Sequence, residues 1–217
     1  EKLIELFTKY QIGREKYELE LLLCLLVRIF NNMHRTSTFF DKIFKILNYI
    51  KEDISKNFTN EQIYEIFQSN QRLLLFLIDE RILTVDQNIA SKLSCNSLHA
   101  KYFYYEIQPF GYLTDLKFPI DKSEFERLRK NGEDHKQICE LIRNDLLDDF
   151  IVFINQYSIK STKIIKYSSI FETNQYLQCR PKSLIEYAAF FGSIKIFIYL
   201  RDNDAELKPS SILFAIH

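Results

Sequence analysis

Residues 183–200 read SLIEYAAFFGSIKIFIYL, and this stretch decides how the second half of the chain folds. It places Ala188 and Ala189 side by side with Gly192 three residues on, in a chain of 217 residues that has only 4 glycines. Bulky side chains dominate the chain as a whole, which has 19 Phe and 13 Tyr. Small residues in such a chain indicate that two backbones approach closely, so we expect a pair of packed helices here.

Local patterns define both helices of this pair. Ser183 and Glu186 have the spacing of a capping box, in which each side chain bonds the other residue's backbone, so a helix should begin at Leu184. Gly192 stands where a left-handed residue ends a helix. We expect Ser193 to cap a second helix. The apolar face of that helix comprises Ile194, Phe197, Ile198 and Leu200.

The same pattern occurs, less completely, on both sides of this helix pair. Downstream, Ser210, Ile212 and Ala215 follow Ser183, Ile185 and Ala188 at a constant spacing of 27 residues (215 − 188). Upstream, ICELIRNDLLDDFIVFINQ at 138–156 has a similar rhythm. There the counterparts of Ala188, Ala189 and Gly192 are Leu141, Ile142 and Asp145. The sequence therefore predicts a loose helix pair at 134–157, a clear repeat at 183–208 and the start of a further repeat at 210–217.

This pattern resembles the ankyrin repeat, whose inner helix opens with T-P-L-H-x-A-A-x-x-G. NDAEL at 203–207 is similar to the closing turn of that family, with Asp204 in place of the usual glycine. The left-handed backbone conformation of this turn is less favourable for aspartate than for glycine. The residues that carry the resemblance are Ser183, Glu186, Ala188, Ala189, Gly192, Leu200 and Ala205.

The sequence of residues 95–217 is also similar to that of a large ankyrin family of trichomonad-type protists, whose members carry an N-terminal helical domain. This resemblance implies a binding scaffold whose array continues past His217. It implies a protein partner and no catalytic residue, cofactor or metal. The contact residues expected at the turn tips are Asp202, Asn203, Asp204, Glu206 and Lys208, and their net negative charge favours a basic partner surface.

Residues 1–108 contain no proline and one glycine, Gly13, and their apolar residues recur at helical spacing. We therefore predict an all-α fold, with a bundle-like helical domain at 1–108, a connector at 109–121 and a repeat region at 122–217. Capping boxes are expected at Thr59, Thr84 and Ser123. Residues 158–181 have no clear period, and a loop of that length suggests an overlooked helix.

Composition excludes several classes of function. The 29 basic residues balance 29 acidic ones, which disfavours a nucleic-acid binder. The strongest apolar run, at 21–27, is far shorter than the ~20 residues of a membrane-spanning helix. The four cysteines are widely spaced, as in proteins of a reducing compartment, and are expected in the core. These features predict an intracellular, cytoplasmic protein that does not bind membranes.

The sequence offers little catalytic chemistry. His135 with Cys139, and Cys95 with His99, have i, i+4 spacing, but no tight zinc motif completes either pair. The acids at 145–149 and 52–53 are expected on solvated helix ends, since carboxylates favour helix N-termini. The aromatic stretch YFYYEIQPFGY at 102–112 is either core packing or an interface anchor. The alternative function is an activity, enzymatic or of another kind, that the N-terminal domain carries, with the repeats serving only to target it.

Overall fold

The computed structural model describes residues 15–32, 37–116, 118, 120–166, 168–178, 180–209 and 211–216. Over these residues the chain is mostly helical, with a single two-stranded ladder, so the all-α prediction is confirmed. The chain divides into two compact units, Glu1–Glu126 and Arg127–His217. The predicted connector at 109–121 ends before this division and stays a prediction.

The first unit is built of short consecutive helices. The helices are α1 (Lys16–Asn32), α2 (Ser37–Tyr49), α3 (Lys51–Asn57), α4 (Asn60–Phe67), α5 (Gln71–Asp79), α6 (Gln87–Ser94), α7 (Ser97–Tyr102) and α8 (Tyr104–Ile107), followed by a 3-10 turn (Gln108–Phe110). α1 packs on α2 and α4, α4 packs on α5, and α6 packs on α7 and α8. α9 (Lys122–Asn131) begins in this unit.

Helix starts in the first unit follow the sequence only in part. The capping box of Thr59 and Gln62 is present. The one predicted at Thr84 is wrong, because the backbone of Thr84 is held by Asn60 and the cap of α6 is Asp86. The one predicted at Ser123 is also wrong. Asp121, two residues earlier, accepts from the backbone N–H of residue 124 at 2.9 Å.

The aromatic stretch at 102–112 contributes to core packing through its first two residues. Tyr102 and Phe103 are fully buried in the core of the first unit, with ring centroids 4.9 Å apart in an edge-on arrangement. Cysteine placement differs from expectation, since Cys24 and Cys95 are exposed and only Cys139 is buried. Cys179 lies outside the described residues. Among those residues, none of the helices combines the length and apolar character that crossing a membrane requires.

The described residues of the second unit include two helical hairpins and a helix that follows them. The first hairpin is α10 (Gln137–Arg143) with α11 (Leu147–Gln156), and the second is α13 (Leu184–Phe191) with α14 (Ile194–Asp202). α15 (Ser211–Ile216) follows, beginning 27 residues after α13 (211 − 184). The predicted Ser210 lies outside the described residues. α13 packs against α10 on one side and α15 on the other, while α11 packs against α14.

The segment between the hairpins is ordered by a short ladder. β1 (Ile164–Ile165) pairs antiparallel with β2 (Lys182–Ser183), with Ile164 opposite Ser183 and Ile165 opposite Lys182. Between the strands lies α12 (Gln175–Gln178), a four-residue helix without an apolar period of its own. The overlooked helix therefore exists, but it is too short to produce the periodicity on which sequence analysis depends.

Candidate functional site

The inner helix α13 forms as the sequence indicates. Ser183 Oγ accepts from the backbone N–H of Glu186 at 3.3 Å, and the Glu186 carboxylate accepts from the backbone N–H of Ser183 at 2.8 Å. Gly192 ends the helix with φ 67°, in the left-handed region. Ala188 is fully buried and Ala189 is half-buried, so small side chains stand where α13 meets its neighbours.

The start of α14 differs from expectation. Ser193 occupies the cap position, but its hydroxyl donates to the carbonyl oxygen of Ile142 in the other hairpin. The free N–H groups of α14 are bonded instead by Asp145, whose carboxylate accepts from Lys195 N at 3.1 Å and from Ile196 N at 3.0 Å. The first hairpin thus supplies the cap of the second, and the predicted cap by Ser193 is wrong.

The two hairpins close in the same way. Asp145 and Gly192, which the sequence placed in correspondence, both have positive φ, at 51° and 67°. Ser193 N donates to Ala188 O, and the equivalent bond in the first hairpin runs from Leu146 N to Leu141 O. Backbone conformation thus repeats although the residues differ.

The outer helices also end alike. Ser158 follows α11 and Asp204 follows α14, with φ of 51° and 64°. Ala205 N donates to Leu200 O, just as Ile159 N donates to Ile154 O. The left-handed turn expected at Asp204 is therefore present.

The expected contact residues lie on the exposed turn after α14. We call residues 202–208 the acidic turn. Asp202 pairs with Arg201 at 2.8 Å, and Glu206 lies 4.0 Å from Lys208. The carbonyl oxygen of Asn203 accepts from the Ser161 hydroxyl, and buried Ala205 anchors the turn. Asp202, Asn203, Asp204, Glu206 and Lys208 are all exposed.

An apolar pocket of about 470 Å³ adjoins the acidic turn. Residues 207–209 line one side of it, so the pocket and the turn form a continuous surface. Leu207 and Ile212 are exposed by 49% and 64%, which is high for aliphatic side chains. Its apolar lining comprises Ala189, Phe197, Leu207, Pro209, Ile212 and Ala215.

A cluster of buried polar side chains lies beside α13 and has no local signature in the sequence. We call Asp134, Ser169, Glu172 and Lys182 the buried polar cluster. Asp134 is fully buried, and its carboxylate accepts from Lys136 N at 3.1 Å and Ser169 N at 2.9 Å. Residues 134 and 169 are 35 positions apart, so no local spacing could have revealed the contact.

Glu172 and Lys182 hold the middle of the segment between the hairpins. The Glu172 carboxylate accepts from Asp134 N at 3.3 Å and Asn174 N at 3.0 Å. Burial raises the pKa of Glu172 to about 7, while nearby Lys182 opposes that rise. Lys182 is buried, its ammonium donates to Ser168 Oγ and Leu177 O, and burial lowers its pKa.

The two members of the His135–Cys139 pair lie in different environments. Cys139 is buried, and burial raises the pKa of its thiol to about 12. His135 is exposed, and its Nδ1 lies 2.7 Å from Ser169 Oγ. Over the described part of the chain, no three His, Cys, Asp or Glu side chains are grouped as metal ligands would be.

The Ser169–His135 contact has the distance of a nucleophile and its base. Ser169 is 7% exposed, however, and its hydroxyl accepts from Phe171 N at 3.2 Å. The buried Ser169 hydroxyl therefore fixes the loop around Phe171. A substrate would have to displace that loop to reach the hydroxyl.

Comparison with protein-family models, with curated proteins and with solved structures gives no match for this chain. The function is therefore inferred from the geometry of the second unit and of its surface.

In the described part of the first unit, Glu61 and Lys92 both have shifted pKa values and form an ion pair with each other. Their ion pair, at 2.5 Å, links α4 to α6. The hydrogen bond from Lys92 lowers the pKa of Glu61, and the same contact raises the pKa of Lys92. Both groups face solvent, so they tie two helices together at the surface rather than forming a reactive cleft.

Proposed function

We propose that the second unit is an ankyrin-type repeat module that binds a partner protein. The observation that carries this proposal is the repetition of the hairpin closure, with left-handed residues at Asp145 and Gly192 and again at Ser158 and Asp204. Stacked hairpins of this kind bury their faces only against neighbours and present an extended surface for binding.

The partner contacts the acidic turn and the adjoining pocket. Specific interfaces combine an apolar centre with a polar rim. Here the pocket supplies the apolar centre, and Asp202, Asp204 and Glu206 supply a rim of negative charge. A partner segment with an apolar anchor and flanking Lys or Arg complements both parts.

The ion pairs at the turn leave most of this charge available. Arg201 with Asp202 and Lys208 with Glu206 are exposed pairs, which contribute about 0–1 kcal/mol. A partner cation can therefore replace either one at low cost. Electrostatic complementarity of this kind governs association rate and specificity more than it governs affinity.

The test is affinity capture by the full chain from the source cell, followed by direct binding of the captured protein after purification. One variant, D202N/D204N/E206Q, neutralises the rim, and Ala215→Phe fills the pocket. The matched control, E18Q/E20Q/D41N, neutralises three exposed acids of the first unit.

The proposal requires a captured protein that binds the wild type and the control but binds both second-unit variants at least about tenfold more weakly. Equal binding by all four proteins would place the contact elsewhere and overturn the proposed site.

A further inference from the structure

Residues 158–166, which we call the basic finger, carry lysines at positions 160, 163 and 166. All three lysines are exposed. Within the described parts of the chain, none of them forms an ion pair. This local excess of positive charge stands out in a chain whose formal net charge is zero.

The finger is held in place before any partner arrives. Lys163 N donates to Lys160 O at 2.9 Å, which closes a turn at its tip. The hydroxyl of Ser161 donates to Asn203 O, and Leu184 N donates to Lys163 O at 3.3 Å. A pre-ordered loop avoids part of the entropy cost of binding.

Among the described residues, β1 pairs with β2 alone, so the outer edge of β1 has no strand partner there. Backbone groups in an antiparallel pair point alternately toward the partner strand and away from it. Since Lys163 O bonds Leu184 N across the ladder, the backbone of the next residue, Ile164, points away from β2. The side chain of Ile164 is 47% exposed, so this edge presents both backbone hydrogen-bonding groups and an apolar contact.

We propose that the basic finger binds an acidic, extended peptide segment, which adds as a strand along the outer edge of β1. Strand addition provides main-chain hydrogen bonds, and side chains on either side provide specificity. Successive side chains of a strand point to opposite faces, so an added strand that alternates acidic and apolar residues places its carboxylates on the face of Lys163 and its apolar side chains on the face of Ile164. Lys160 and Lys166 lie outside β1 and add electrostatic attraction to the acidic strand. The bond from Ser161 to Asn203 O anchors the finger to the acidic turn, but this proposal does not depend on whether that turn binds a partner.

The lysines select this occupant over a second copy of the chain. Lysine on an exposed edge opposes pairing between two identical edges, because the like charges repel. An acidic strand is instead attracted by the same lysines. The lysines of the finger therefore disfavour pairing with a second copy of the chain and favour pairing with an acidic peptide.

Binding is measured with the full chain and a fluorescein-labelled peptide, Glu-Val-Glu-Val-Glu-Val-Glu, by fluorescence anisotropy at low salt. We expect saturable binding that K160E/K163E/K166E weakens at least about tenfold. The control, K42E/K45E/K51E, makes the same charge change at three exposed lysines of the first unit and should bind as the wild type does. Circular dichroism verifies that each variant is folded.

Two further probes separate strand addition from simple charge attraction. A peptide with proline in place of valine keeps the charge but removes backbone donors, and we expect it to bind at least about tenfold more weakly. Equal binding of the two peptides would overturn the strand addition. A single-stranded oligonucleotide that binds the finger more tightly than the peptide would overturn the choice of partner. Absence of saturable peptide binding would overturn the whole proposal.

Discussion

The carboxylate of Asp145 accepts a hydrogen bond from the backbone N–H of Ile196 at 3.0 Å, although 51 positions separate the two residues. Asp145 lies at the closing turn of the first hairpin and Ile196 in the first turn of α14. One residue therefore lies in the turn that connects the two helices of its own hairpin and caps a helix of the next, which couples the stability of the two hairpins.

Replacing Asp145 with alanine should destabilise the second unit by about 1–3 kcal/mol. The change removes a helix cap, worth about 1 kcal/mol, and places alanine in a left-handed conformation, which costs up to about 2 kcal/mol more. Denaturant unfolding followed by circular dichroism measures the loss. Asp145→Asn, which keeps one acceptor and tolerates positive φ, should lose less. An equal loss for Asp148→Ala, an exposed neighbour in α11, would contradict the capping role.

Enlarging Ala188 should be far more harmful than enlarging Ala189. Ala188 is fully buried on α13, which packs against both α10 and α15, so Ala188→Leu should cost about 1–3 kcal/mol through overpacking. Ala189 lines the open pocket, where an added side chain has room. Thermal unfolding of the two leucine variants compares the costs, and equal melting temperatures would refute the packing assignment.

The stability of the protein should fall as pH rises through neutrality, and Glu172 should be one cause. Its pKa is raised by burial to about 7 in the folded state, above its ordinary 4.5, so the folded state binds this proton more tightly than the unfolded chain does. The resulting stabilisation is fully present below about pH 4.5 and is lost as pH rises through 7, a change of about 3 kcal/mol.

Glu172→Gln removes the titrating group, but its amide nitrogen cannot accept one of the two backbone N–H bonds that the carboxylate oxygens accept. The pH dependence of the difference therefore isolates the contribution of titration. The free energy of unfolding of the variant, relative to that of the wild type, should rise by about 3 kcal/mol between pH 4.5 and pH 8. Chemical denaturation at a series of pH values gives the difference. A difference that does not change with pH would show that Glu172 does not titrate in this range.

The cysteines should differ sharply in reactivity. Burial raises the pKa of Cys139 to about 12, so little of the reactive thiolate forms at pH 8. Cys24 and Cys95 are exposed. Alkylation with iodoacetamide followed by mass spectrometry should label Cys24 and Cys95 in the native protein and Cys139 only after unfolding. Native labelling of Cys139 at the rate of Cys95 would contradict its burial.

Sequence patterns were sufficient where a single helix or turn determines the outcome. The capping boxes at Ser183 and Thr59 and the left-handed end at Gly192 depend on residues within a few positions of each other. The correspondence of Asp145 with Gly192 was also visible from spacing. Thr84 and Ser193 show the limit of such reasoning, because each has a suitable side chain and each is bonded instead by a distant segment.

The sequence by itself therefore determined the all-α character, the hairpin at 184–202 and the spacing that brings α15 after α13, since periodicity, caps and glycine act locally. Only the tertiary structure decided which carboxylate caps α14, where Glu172 and Lys182 are buried, and how the basic finger is anchored. These contacts join segments up to 51 positions apart. The physical reason is that a buried polar group must find a partner, and chain packing rather than local spacing decides which partner is within reach.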